Sequence, residues 1–162
     1  MNQIERKIPS REEIQRLLKV LKSHSDAALT LKHRQPVVDH ALVMMLVGSG
    51  LRSAEVCAVN VGDVDFRQSA LLVRHGKGNK SRVVSISEGL KRNLKAFIHW
   101  KTAQGEAVDP TAPLFLSERK KPYGTRGLRH LFKRSLADAG LPEVYGVHSL
   151  RHFHLSQGKS EL

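Results

Sequence analysis

Apolar residues recur at helical spacing along most of the chain, interrupted once by two short β-branched runs. Ile14, Leu17, Leu18 and Leu21 follow Ser10-Arg11-Glu12-Glu13. Ser10 and Glu13 have the spacing of a capping box, in which each side chain takes the other's backbone N–H. The pattern predicts a first amphipathic helix over residues 11–23 and a polar loop over residues 23–35. Pro36 then opens a second helix at a position where a missing N–H costs nothing. From Ala41 to Val47 that helix is apolar on every side, which places it at the buried centre of the fold. Gly48 and Gly50 end it, and a short helix over residues 53–59 follows.

The two β-branched runs are Ala70 to Arg74 and Ser81 to Ile86, separated by a segment with two glycines and an asparagine. They predict a β-hairpin with Lys77 near its tip. The helical period then returns. Leu90, Leu94, Phe97 and Ile98 mark a helix over residues 88–103, and Leu114-Phe115-Leu116 reads as a short buried segment. Leu128, Leu131, Phe132, Leu136 and Ala139 mark another helix, capped at Thr125 and ended by Gly140. A last helix covers residues 148–157, with Leu150 turned to the core. The class expected is mainly α with a small antiparallel hairpin (α+β), one domain over residues 1–162, with no repeat or linker.

Charge narrows the class of partner. Lys and Arg number 27 against 15 Asp and Glu, for a formal net charge of +12. Such an excess points to a polyanion, most simply nucleic acid. The residues most placed to touch a DNA backbone are Lys80, Arg82, Lys120, Lys121, Arg126, Arg129 and Lys133. Residues 117–134 hold seven Lys or Arg and one acid, Glu118. Aromatic residues are 5% of the chain, too few to suggest stacking platforms for single strands. One cysteine, Cys57, allows neither a disulfide framework nor a zinc motif. With no apolar leader and no apolar run long enough to cross a bilayer, a cytoplasmic setting is expected and no membrane.

Candidate chemistry lies in three separated stretches: Gly50-Leu51-Arg52 with Glu55, Gly76-Lys77-Gly78-Asn79-Lys80, and His148-Ser149-Leu150-Arg151-His152. Taken singly, Arg52 and Glu55 read as a surface ion pair and Lys77 as a solubilising turn residue. Together they suit a phosphodiester. Two arginines can clamp non-bridging oxygens, while lysine and histidine move protons at the entering and leaving oxygens. No metal and no other cofactor is expected.

These stretches, in this order and spacing, resemble the catalytic domain of the tyrosine recombinases, the phage integrase family, over residues 9–156. The resemblance implies a mostly helical domain whose small sheet carries the lysine. It implies that Arg52 and Arg151 bind the scissile phosphate, and that Lys77 is the general acid for the 5′-hydroxyl leaving group. His148 would assist proton transfer, and Glu55 would support the site from behind. The implied reaction is site-specific recombination or integration. DNA strands are cleaved and rejoined by metal-free transesterification through a phosphotyrosyl intermediate, among several protomers on double-stranded DNA.

The chain departs from that pattern in one respect. Family members carry a further His or Trp and then the nucleophilic Tyr well beyond the second arginine. Eleven residues follow Arg151, none of them Tyr, and the two tyrosines, Tyr123 and Tyr145, match no family position. The family's N-terminal DNA-clamping domain has no counterpart either. The expectation is a catalytic core without its nucleophile, inactive in this form, with apolar surface left bare around residues 148–155. The alternative is a non-catalytic DNA-binding remnant or regulator of a full-length recombinase. A relative of type IB topoisomerases is a third reading, disfavoured by the short chain.

Overall fold

A computed structural model describes residues 8–74 and 80–157. The elements run α1 (Arg11–Leu31), α2 (Gln35–Ser49), α3 (Ser53–Cys57), a 3-10 turn (Val61–Asp63), β1 (Val64–Asp65), β2 (Ala70–Val73), β3 (Arg82–Ser85), α4 (Glu88–Ala103), α5 (Thr125–Asp138) and α6 (Val147–Gln157). The class is mainly helical with a small antiparallel sheet, as expected.

The capping box forms as read. Ser10 N donates to Glu13 Oε1 at 2.9 Å, and Glu13 N donates to Ser10 Oγ at 3.1 Å. The loop expected over residues 23–35 does not: α1 continues to Leu31 and ends at Lys32 in the left-handed region. The buried stripe Ile14, Leu17, Leu21, Ser25, Ala28 keeps helical spacing to that end. Its last two members are small, so they fill the face against α2 without an apolar signal. Thr125 is likewise not a cap; Gly124 is the N-cap of α5, with no side-chain hydrogen bond.

Central helix α2 is buried on nearly all sides and packs against α1, α4, α5 and α6. The hairpin pairs Val73 with Arg82 and Leu72 with Val83, and β1 adds a two-residue strand outside β2. That strand is too short to leave a periodic signal. On α6, Leu150 and Phe153 are buried, so the bare apolar surface expected there reduces to Leu155. Among the described residues no helix is long and apolar enough to cross a membrane.

A polar pair interrupts the α2–α4 contact. His40 is buried, with Nδ1 at 3.4 Å from Asn93 Nδ2, and Asn93 Oδ1 is buried without a partner. Burial, aided by the charge of Lys22, pushes the His40 pKa down to about 4 from 6.5. The folded protein therefore holds His40 neutral while the unfolded chain takes up the proton first. Stability falls as pH drops from about 6.5 to about 4, by on the order of 2–3 kcal/mol. Denaturation midpoints across that range should show the decline, and His40→Gln should flatten it.

Candidate phosphodiester site

The site is built at the C-terminal end of α2. Gly50 caps the helix at φ 69°, a left-handed conformation that suits glycine. The chain then turns sharply through Leu51, which is buried, to Arg52 at the N-cap of α3. Arg52 is thus fixed at both sides, with its side chain 45% exposed.

Helix α6 packs on the same end of α2. His154 Nδ1 lies 3.0 Å from the Val47 carbonyl oxygen, and its ring sits directly over Gly50. Arg151, three residues earlier, is half-buried. Its Nε is fully shielded and has no hydrogen-bond partner among the described residues. His148 is exposed, and its ring meets that of His152 edge-on at 4.7 Å between centroids. Ser149 Oγ accepts from Gly146 N at 3.1 Å, fixing the turn into α6.

Glu55 is buried and faces two arginines. Arg82 reaches it with a fork: Nη1 to Oε2 at 2.6 Å and Nη2 to Oε1 at 3.0 Å. Oε1 also accepts the Arg52 backbone N–H at 2.9 Å, while Arg52 Nη1 stands 3.7 Å from Oε2. The Arg82 hydrogen bonds, opposed by burial and helped by the Arg52 N–H, hold the Glu55 pKa down to about 2. Behind this group, Arg74 binds Asp63 through Nε at 3.0 and 3.1 Å and donates to the Ala58 carbonyl, tying the end of β2 to α3.

The remaining cations are spread more widely. Lys80, Lys121, Arg126 and Arg129 are exposed. Lys133 donates to the carbonyls of Glu143 and Tyr145, and Lys120 to Glu106 Oε2 at 3.2 Å. Arg82, counted above among the DNA contacts, is held by Glu55. Lys77 lies outside the described residues. The structure therefore gathers Arg52, Glu55 and Arg82 in one cluster and packs the helix of His148 and Arg151 against the same corner. Among the described residues no group of three or more His, Cys, Asp or Glu is placed to hold a metal ion.

Residues 9–157 match the phage integrase family. The chain belongs to that family, the tyrosine recombinases. Tyrosine recombinase XerC of Thermodesulfovibrio yellowstonii is 28% identical over 153 residues, covering 92% of this chain and 48% of the relative. Tyrosine recombinase XerA of Thermococcus onnurineus is 32% identical over 164 residues, covering 91% and 54%. The chain thus spans about half the length of these relatives. A crystal structure of XerA recombinase superposes with a TM-score of 0.75 at 23% identity, over 93% of this chain and 49% of that one. The Tn1549 transposon integrase in complex with transposon right-end DNA gives 0.70 at 17%, over 93% and 52%.

Both tyrosines of this integrase-family chain are engaged elsewhere. Tyr145 is buried, and its hydroxyl donates to Glu13 Oε1 at 2.7 Å. The Tyr123 hydroxyl accepts from Gln35 Nε2 at 2.7 Å, and burial raises its pKa. The largest feature that the sequence did not reveal is a charge cluster at the opposite end of α2. There Glu106 receives Arg34, Lys101 and Lys120. Lys101 is fully buried. Its place on the apolar face of α4, four residues after Phe97, was the available signal.

Proposed function

We propose that this chain binds duplex DNA and holds one backbone phosphate between Arg52 and Arg151, as the phosphate-binding core of a strand-cleaving and rejoining unit. The observation that carries this reading is the Arg151 guanidinium. It is half-buried on α6, which packs at the α2 corner, and among the described residues it makes no ion pair, so its charge is left for an anion at that corner. A phosphodiester oxygen is the proposed anion, and Arg52, exposed at the end of α2 on which α6 packs, is its second proposed ligand. Lys77, which lies between the two hairpin strands in sequence, is the proposed general acid, and His148 the proton-transfer partner. Site-specific recombination or integration of DNA is the proposed role, with other protomers as partners. Structural relatives support it: XerH bound to its difH substrate, and a lambda integrase dimer bound to a core site.

Tyr123 and Tyr145 are both committed to other contacts, and we propose neither as a nucleophile. The test is a duplex with a nick beside a terminal phosphate. Binding should weaken steeply with salt. Arg52→Ala and Arg151→Ala should each cost at least tenfold at the nick, as expected for losing a charge-assisted phosphate contact. Arg126→Ala should lower affinity on nicked and intact duplex alike. A detergent-stable adduct on Tyr145 or Tyr123 would overturn that assignment.

A second reading is favoured by the exposed basic residues Arg126 and Arg129 of α5, with Lys121 just before the helix. It makes the chain a non-catalytic DNA binder or regulator of a full-length recombinase. That reading requires Arg52→Ala to behave no differently from Arg126→Ala.

A further inference from the structure

Glu55 sits between two guanidinium groups and treats them unequally. Arg82 takes both carboxylate oxygens at 2.6 and 3.0 Å, whereas the Arg52 guanidinium stands off at 3.7 Å. Arg52 gives Glu55 its backbone N–H instead, at 2.9 Å. Among the described residues, Glu55 is the one ion-pair partner of Arg52.

We propose that Arg82 is a positioning residue. It saturates Glu55, so that the Arg52 guanidinium stays free to meet an anion while Glu55 still pins the Arg52 backbone. This inference rests on the reading of Arg52 as a phosphate ligand.

Three observations support it over a direct contact between Arg82 and DNA. The fork of Arg82 matches a carboxylate edge-on, which is the strongest ion-pair geometry available to arginine. Glu55 is buried, and a buried carboxylate that loses its partner captures the nearest cation. The nearest one is Arg52, whose Nη1 needs to move less than an ångström to reach hydrogen-bond range. With its pKa near 2, Glu55 is ionised at neutral pH and would neutralise whichever arginine it holds.

A capture mechanism has a signature that simple loss of charge lacks. Removing Arg82 weakens anion binding, and removing Glu55 as well restores it. The experiment is a titration with inorganic phosphate at fixed neutral pH and ionic strength, followed by the arginine Nε–H resonances. Arg82→Gln should weaken binding about tenfold, within the coupling range of contacting charged residues. Arg82→Gln with Glu55→Gln should recover to within about threefold of the parent chain, and Glu55→Gln alone should stay as close. Where Arg82→Gln does not fold, Arg82→Lys replaces it in the same cycle, since a single ammonium leaves one Glu55 oxygen open. A double variant as weak as the single one, or an unweakened Arg82→Gln, would overturn the proposal. Arg52→Ala separates the two layers. If it abolishes phosphate binding while the cycle is additive, only the positioning role fails. If Arg52→Ala leaves binding intact, the phosphate-ligand reading fails, and the positioning role with it.

Discussion

Replacing Glu106 with Gln lowers the stability of the fold at neutral pH by about 3–5 kcal/mol, the scale for breaking a buried ion pair. The Glu106 side chain is 4% exposed, and Lys101 opposite it is 0% exposed at 3.2 Å. Arg34, 16% exposed, grips the same carboxylate with Nε at 2.8 Å and Nη2 at 3.0 Å. Its remaining Nη1 donates to the carbonyls of Leu116 and Ser117. One anion therefore bridges an N-cap arginine and a fully enclosed lysine, and orients the arginine that holds the Leu116 and Ser117 carbonyls. Lys120, 54% exposed, adds little, because solvent screens it.

The amide in Glu106→Gln keeps the shape and leaves Arg34 and Lys101 facing each other without a counter-charge. Burial alone would raise the Glu106 pKa, yet the hydrogen bonds of Arg34 and Lys101 hold it down to about 2. A depressed carboxylate pKa gives stability that is complete above the ordinary carboxylate range and is lost as pH falls toward 2. Chemical denaturation of parent and variant should therefore diverge at neutral pH and converge near pH 2. A neutral-pH difference below about 1 kcal/mol would mean that the cluster behaves as a solvated surface group.

That cluster also shows where sequence reading stopped. Helices α2, α4, α5 and α6 and both strands of the hairpin were legible because apolar residues dominate the buried positions of each. The C-terminal half of α1 was missed because Ser25 and Ala28 fill its buried stripe, and small or polar side chains look like loop. Lys101 and Glu106 were missed for a related reason. A charged residue at a core position is intelligible only with its partners, and Arg34 lies 72 residues from Glu106.

The candidate site was legible in a different way. Gly50-Leu51-Arg52 and His148 to His152 stood out by residue type and order, and α6 does pack on the Arg52 corner. The pairing of Glu55 was not legible. Spacing on α3 offers Arg52 as its partner three residues away, but the sheet brings Arg82 edge-on from 27 residues further along, and the bidentate contact wins.

Gly50→Ala carries the second large effect, because that residue meets two separate constraints. Its φ of 69° strains any residue with a Cβ, by about 1–2 kcal/mol. An added Cβ would also lie 2.4 Å from His154 Cδ2 and 3.1 Å from its Cγ. The ring cannot swing away freely, since Nδ1 is engaged with the Val47 carbonyl at 3.0 Å. Relief therefore requires α6 to move, at an overpacking cost of about 1–3 kcal/mol.

Gly105 and Gly140 provide the internal control. They hold φ of 77° and 68°, and a Cβ on either meets nothing within 4 Å. Gly105→Ala and Gly140→Ala should show the backbone strain alone, and Gly50→Ala should exceed them by the steric part. Because α6 carries Arg151, moving it also shifts that arginine, which is one of the two proposed phosphate ligands. Phosphate binding by folded Gly50→Ala should thus fall severalfold while the Gly140→Ala variant binds normally. His154→Ala in the Gly50→Ala background should remove the collision and recover part of the lost stability. If Gly50→Ala proves no worse than Gly140→Ala in melting and in phosphate binding, then α6 yields without penalty, and the rigid corner argued for Arg52 and Arg151 does not exist.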